Sequence, residues 1–297
     1  MVIMSENPIR SVSDTALWVA IYRAMESDRP DAIFKDPHAR RLAGERGEAI
    51  VERLPKGRKL AWPMIVRTAV MDEIILRLTR DGGVRTVVNL AAGLDTRPYR
   101  LPLPPAVRWL HVDFPDMVAY VRDALRQETP VCALEYVPAD LREPAERAAV
   151  FDRADAAGGT ALAVAEGLLI YLKPEQVDAL GRDLAARRSF RYWLIDLASP
   201  DMLRMLRKTW EPHLAAGNAP MLFAPAEGTG FFNASGWREA EYRSIWTEAL
   251  RLKRTMKGAW LFNLLSRLMP ASRRAAMARM SGMVLLERAA QGSDGVP

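Results

Sequence analysis

The spacing of apolar positions changes character near residue 81. Before it the period is helical. In Asp14–Glu26, Leu17, Ala20, Ile21 and Ala24 recur at steps of three and four, with Ser13 or Asp14 placed to cap the first turn. The spacing predicts two more helices, His38–Arg53 after a Pro-bounded loop and Met64–Arg80, where Ile65, Val66, Ala69, Ile74 and Leu78 share a side and Gly82-Gly83 ends the run. Beyond residue 81, apolar runs of strand length take over: Arg85–Leu90, Val107–Val112, Leu134–Pro138, Thr160–Ala165 and Arg191–Leu197. Helical stretches separate most of them, at Pro98–Leu101, Asp116–Gln127, Pro144–Ala157 and Pro174–Arg187. Near-continuous apolar strands alternating with helices imply βαβ units and a parallel sheet covered on both faces. Met283–Glu287 reads as a last strand and Trp237–Thr247 as another. The expected fold is therefore α/β, doubly wound, with a mostly parallel seven-stranded sheet over 81–290. A helical cap occupies 1–80, a lid insertion spans about 200–236, and a polar tail, 291–297, frays. Within the insertion, Asn218–Gly236 is rich in Pro, Gly and Phe and is expected to loop over the site.

Composition narrows the setting. Nearly half of the 297 residues are apolar, enough for a sizeable core. A single cysteine, Cys132, excludes an internal disulfide and a thiolate metal cluster, and suits a reducing cytoplasm. Met1–Arg10 has no signal-like apolar run, and no stretch approaches the roughly 20 apolar residues of a membrane span. A soluble, cytoplasmic protein without metal is expected. The net charge of +6 comes as short pairs, Arg40-Arg41, Arg187-Arg188 and Arg273-Arg274, with no block of five or more like charges, so no nucleic-acid footprint is expected.

Candidate chemistry gathers where strands end. In Val87-Val88-Asn89-Leu90-Ala91-Ala92-Gly93-Leu94-Asp95-Thr96-Arg97 a buried strand runs into small residues, and a helix starts near Pro98. Ligands of doubly wound folds sit at such ends, where small residues let backbone approach them. The turn is not a dinucleotide fingerprint, because Ala91 stands at the first glycine position and no third glycine follows. Alone, it could equally be an ordinary tight turn in which Asp95 caps the helix. Asp113, twenty positions after Gly93, closes the second strand and is placed to accept from both hydroxyls of a ribose. The third strand ends in Ala139-Asp140-Leu141, an acceptor for an adenine amine beside an apolar contact. The fourth ends in Ala165-Glu166-Gly167. Three acids ending three successive strands point to a nucleoside ligand.

These segments, with Ala-Glu-Gly-Leu-Leu-Ile-Tyr-Leu at 165–172, Tyr22-Arg23-Ala24, Phe34-Lys35-Asp36-Pro37 and Ser235-Gly236-Trp237, resemble the leucine carboxyl methyltransferase family over most of the chain. That family includes the tetracenomycin-type polyketide O-methyltransferases. The resemblance implies a class I methyltransferase fold and S-adenosyl-L-methionine as cofactor. Arg67 would pair with the carboxylate of its methionine part, as a planar fork suits. Ala91 and Gly93 would line the amino-acid moiety, Asp113 hold the ribose, Asp140 and Leu141 the adenine, and Glu166 face the amino group or ribose. The lysine that protein carboxyl methyltransferases carry in the first helix has no counterpart near Trp18-Val19-Ala20, although Arg23 is close.

The expected partner is a small-molecule acceptor methylated on a hydroxyl or carboxyl oxygen. A phenol or alcohol acceptor would benefit from a base, and a carboxylate would not. His213, after the fifth strand, is the candidate base, and Tyr171, after the fourth, a candidate contact or a packing residue. His111, inside a strand, reads as structural, and His38 belongs to the cap. Trp18, Trp62, Phe223, Phe231, Phe232 and Trp237 are candidates for an apolar acceptor pocket. Four rivals remain. A protein carboxyl methyltransferase needs a basic pocket. A base-amine methylator would place Asn/Asp-Pro-Pro-aromatic where Glu166-Gly167-Leu168 stands. A non-catalytic binding module is compatible with Ala91, and a dehydrogenase would need the full glycine fingerprint. The oligomeric state is not encoded in any of these motifs.

Overall fold

A computed structural model describes residues 14–54, 57–214, 220–256, 258–266 and 268–289; for residues 211–214, 260, 262 and 263 it describes the backbone alone. Seven strands form one sheet: β1 (Val84–Leu90), β2 (Arg108–Asp113), β3 (Ala133–Pro138), β4 (Thr160–Ala165), β5 (Phe190–Ala198), β6 (Trp237–Ser244) and β7 (Ser281–Arg288). Their order is β3-β2-β1-β4-β5-β7-β6. The first five are parallel. β7 runs antiparallel between β5 and β6. The order reverses between β1 and β4, which opens a crevice at their C-terminal ends.

Helices cover both faces, as strands buried on both sides require. On one face, Val150, Phe151 and Ala154 of α6 (Pro144–Ala156) and Val177, Leu180 and Leu184 of α7 (Pro174–Ala185) share a core with β4 and β5. On the other lie α3 (Trp62–Arg80) and α9 (Ile245–Arg251), with Val66, Val70, Ile74 and Ala249 against Val87 and Leu162. The sequence reading groups α3 with the cap, but its inner face belongs to the sheet's core. A third cluster joins α1 (Asp14–Ser27), α2 (Ala39–Arg53) and α8 (Pro200–Leu214) above the strand ends, around Trp18, Leu42, Leu94 and Leu203. Two short helices, α4 (Arg97–Arg100) and α5 (Pro115–Ala124), begin at prolines suited to a first turn. Two more, α10 (Ala259–Ser266) and α11 (Ala271–Ala278), precede β7.

The segment read as a lid divides in two. α8 and Pro220–Phe223 wall the central cavity. Gly228–Ser235 is instead a tight helical turn that buries Phe232 against Trp193, so its aromatic residues do not lie over the site. Helices α8 to α11 were not expected from the sequence, where Pro, Gly and charged positions interrupt the apolar period.

Candidate active site

One cavity of about 710 Å³ runs along the C-terminal ends of β1, β2, β4 and β5 and continues between α1 and α8. Arg67, Ala91, Gly93, Asp113, Asp140, Leu141, Glu166 and Tyr171 all line it. At the strand-end part, two residues after β1 adopt left-handed backbone: Ala91 at φ 50° and Gly93 at φ 53°. For glycine this is free, and for alanine it carries a steric cost. Gly93 is required twice over, since a Cβ there would lie 3.0 Å from that of Ala16 on α1.

Asp113 is fixed by backbone. Its carboxylate accepts from Gly93 N at 2.6 Å and from Phe114 N at 2.7 Å. Burial pushes its pKa up, against the pull of those two N–H donors. A carboxylate has about four lone-pair sites, so two backbone bonds leave room for a ligand's hydroxyls. Asp140 is tied by the fork of Arg142 at 2.6 Å, the first cause of its lowered pKa. Leu141 packs against the α6–α7 core.

Glu166 and Arg67 belong to a chain of ion pairs that sequence reasoning largely missed. Arg23 meets Asp36 at 2.8 Å, and Asp36 lies 3.7 Å from Arg100. Arg100 and Arg97 each hold Asp72 at 2.6 Å. Arg97 also holds Asp95 and Glu166, both at 2.8 Å. Arg67 bridges Glu166 and Asp196, both at 3.0 Å. For Glu166, burial alone would raise the pKa, but Arg97 and Arg67 outweigh it and pull it down to about 2. Arg67 is held ionised, its burial outweighed by Asp196 and Glu166. Its Nε and Nη1 serve those two acids, so the fork is oriented by protein before any ligand arrives. Four arginines against five carboxylates leave one negative charge in excess in this chain, part of which lines the cavity.

Asp196 lies two residues before the end of β5, close to the strand tip, and also accepts from Gly167 N at 2.6 Å. Extending the strand-end rule to the last residues inside the next strand would find it. Asp95 precedes the capping position of α4, which Thr96 holds; it accepts from Arg97 N at 2.8 Å and also takes Asn89 Nδ2 at 2.6 Å and the Arg97 guanidinium. Arg23 and Asp36, noticed only as part of a resemblance, anchor α1 over the turn: Arg23 donates to the Leu94 carbonyl at 2.6 Å and Thr96 to Asp36 at 2.6 Å.

The other part of the cavity is apolar. Trp18 of α1 meets Trp210 of α8 edge-on at 4.9 Å between centroids, and Val19, Leu206 and Phe223 join the wall. Of the six aromatic residues proposed for a pocket, only Trp18 and Phe223 line it. Trp62 packs on Trp246, Phe231 and Phe232 sit with Phe223 and Trp193, and Trp237 donates to the Gly181 carbonyl at 2.9 Å, all as core. Tyr171 sits between the two parts; burial lifts its phenol above the ordinary value, against a hydrogen bond with Thr15. The backbone of His213 lies in the last turn of α8, while its side chain is outside the described residues. His111 is buried in β2, and burial lowers its pKa to about 4. Among the described residues, neither His111 nor His38 lines the cavity.

Known proteins resemble this chain in sequence and in fold. The model of the leucine carboxyl methyltransferase family matches residues 16–185. A protein of Mycolicibacterium gilvum assigned as an S-adenosyl-L-methionine-dependent methyltransferase is 40% identical over 190 residues, 57% of this chain and 60% of its own length. A Streptomyces coelicolor protein assigned likewise is 38% identical over 176 residues, 56% of this chain and 62% of its own. The chain thus spans less than two thirds of the length of these relatives. A Mycolicibacterium smegmatis relative is 34% identical over 249 residues, covering 76% of this chain and 82% of that one. Among solved structures, a DUF574 family protein from Streptomyces avermitilis aligns at TM-score 0.58 and 17% identity, covering 91% of this chain and 96% of that one. A Thermobifida fusca protein described as a methyltransferase aligns at TM-score 0.58 and 16% identity, covering 97% and 100%. Both share the fold.

Proposed function

We propose, taking as premise that the chain belongs to the leucine carboxyl methyltransferase family, that it uses S-adenosyl-L-methionine to methylate an oxygen of a small apolar molecule. The observation that carries this reading is the two-part cavity, charged at the strand ends and apolar between α1 and α8. The cofactor supplies a methyl group on a sulfonium, open to displacement by an acceptor oxygen. It bears an ammonium, a sulfonium and a carboxylate, a net single positive charge that complements the one excess carboxylate of the buried chain of ion pairs.

The roles of the protein's own residues follow from their fixed positions. Asp113 offers its remaining lone pairs to ribose hydroxyls, and Asp140 and Leu141 take the adenine edge and face. Glu166 and Asp196, oriented by Arg67, attract the ammonium end, and the remaining nitrogen of Arg67, Nη2, is the donor for the carboxylate. Ala91 and Gly93 bring backbone close to the amino-acid part. The Trp18–Trp210 wall would exclude water and hold the acceptor in line, where orientation supplies several kcal/mol. A raised phenol makes Tyr171 a donor or contact rather than a base.

A protein C-terminus as acceptor is disfavoured, because Arg23, the cation nearest the expected lysine position, is committed to Asp36 and the Leu94 carbonyl. The test is a transfer assay with labelled cofactor against phenolic polyketides, small carboxylic acids and peptide C-termini. Labelled phenol or carboxylate products are expected; methylation of a nucleobase nitrogen, or of intact protein alone, would overturn the acceptor assignment. A phenol or alcohol acceptor predicts a rate that falls at low pH and a cost on the order of 10²-fold in His213→Ala. A carboxylate acceptor predicts a flat profile above about pH 6 and a dispensable His213.

A further inference from the structure

Methyl transfer makes no use of the surface formed by α10 and α11. Between Arg251 and Met280 the chain carries eight Lys/Arg and no Asp or Glu. Within it, Leu261, Leu264 and Leu265 of α10 stand at the i, i+3, i+4 spacing of one helical face, yet are 46%, 52% and 53% exposed, and Leu268, in the turn beyond the helix, is 84% exposed. α11 buries none of its residues, and Arg273 lies exposed on it. Single exposed leucines are ordinary on any surface, but three on one helical face with a fourth just beyond it mark a contact region.

The charge decides what covers them. A nucleic acid would engage the cations and leave the leucines in water. A second copy, packed about a two-fold axis, would set the same cations against each other. Arg251, Arg254 and Arg279 are held by Glu73, Glu248, Glu26 and Glu239 from elsewhere in the fold, whereas Lys253 and Arg273 lie exposed. An apolar face beside such an excess of cations has the make-up of a helix lying in a headgroup layer. Among the described residues no helix is long and apolar enough to cross a membrane, which suits contact at that depth. We propose that α10 and α11 dock this protein on an anionic lipid bilayer, the leucines entering the acyl boundary and the basic side chains meeting headgroup phosphates.

The place is consistent with a use. α11 leads to Met280, whose carbonyl accepts from Ser199 N at 2.8 Å just before α8, and then to Ser281, which lines the cavity. The docked helices therefore adjoin the rim on which α8 stands. If the methyl-transfer reading holds, an apolar acceptor dissolved in the bilayer would arrive beside that rim; docking itself does not depend on that reading.

The experiment is co-sedimentation of the full chain with vesicles of phosphatidylglycerol mixed into phosphatidylcholine, and with vesicles of phosphatidylcholine alone. Binding is expected on the anionic vesicles and should weaken with added salt. Arg273→Glu and the pair Leu264→Ser, Leu268→Ser should each weaken it roughly fivefold or more, with unchanged thermal melts. No binding to anionic vesicles, equal binding to neutral ones, or indifference to both variants would overturn the proposal. So would a dimer, or retention on duplex DNA in preference to vesicles, that the same substitutions abolish. Calorimetry with S-adenosylhomocysteine on the same samples reads the cofactor assignment separately: its failure alongside intact vesicle binding sinks that assignment and leaves docking standing.

Discussion

At the strand-end part of the cavity, each of the polar groups Asp113, Asp95, Glu166 and Asp196 is held by backbone or by an arginine. Between α1 and α8, by contrast, the wall is made of side chains from helices almost two hundred residues apart that meet ring against ring. The first arrangement is rigid because each charge is fixed by two or more partners in a buried setting, where losing one partner is costly. The second is set by shape and apolar contact, which tolerate substitution as long as volume is kept. The strand-end part, proposed for the cofactor, should therefore respond steeply to single changes, and the part between α1 and α8, proposed for the acceptor, gently.

The largest effect is expected at Glu166. Its removal in Glu166→Ala leaves Arg67 and Arg97 short of a buried counter-charge, and should cost about 3–5 kcal/mol of stability by denaturant titration. The pH dependence has a definite sign. With its folded pKa drawn from 4.5 to about 2, the stability that Glu166 contributes is present above about pH 4.5 and is lost as pH falls toward 2. Glu166→Gln should flatten that part of the curve; a wild-type acid limb identical to the variant's would show that the pairs contribute nothing. Next comes Asp113→Ala, which should weaken cofactor binding by about 1.5–3 kcal/mol in calorimetry through the loss of charge-assisted bonds. Unchanged affinity in a folded variant would remove Asp113 from the site. Trp210→Ala should raise the acceptor KM roughly tenfold while leaving cofactor affinity alone, since one face of an apolar wall is lost. If both constants move together, the two parts of the cavity are coupled. The smallest effect is expected at Ala91→Gly. Relief of a left-handed alanine, about 1–2 kcal/mol, exceeds the added unfolded-state entropy of glycine, about 0.4–1 kcal/mol. A melting temperature raised by a few degrees would bear this out, and a lowered one would show that the turn is not strained.

The same contrast explains what could be read in advance. β1 to β5, β7 and the acids at three strand ends are legible because a parallel sheet demands unbroken apolar strands and puts its ligand at their tips. Asp196, two residues short of the end of β5, needs a looser form of that rule. Arg97 lay inside the signature turn without a role, because an arginine's partners come from other elements, here Asp72 on α3 and Glu166 after β4. Trp210 was illegible for the same reason: its partner is Trp18, and nothing local marks the pair. Trp62, Phe231, Phe232 and Trp237 were drawn toward the pocket by type alone, whereas burial decides where a large ring goes. The basic stretch before β7 carries no like-charge block; what marks it is the absence of Asp and Glu between positions 251 and 280.

Strand order has a consequence for any attempt to treat the family-matched region, residues 16–185, as a self-contained module. That stretch ends before β5, although β5 pairs with β4 along Ala161 to Ala165 and β7 and β6 follow outward. Cut there, the fragment would expose β4, Thr-Ala-Leu-Ala-Val-Ala, as a bare edge with unpaired backbone and apolar residues on both faces. Such an edge recruits further strands, so the excised fragment should aggregate rather than fold as a smaller domain.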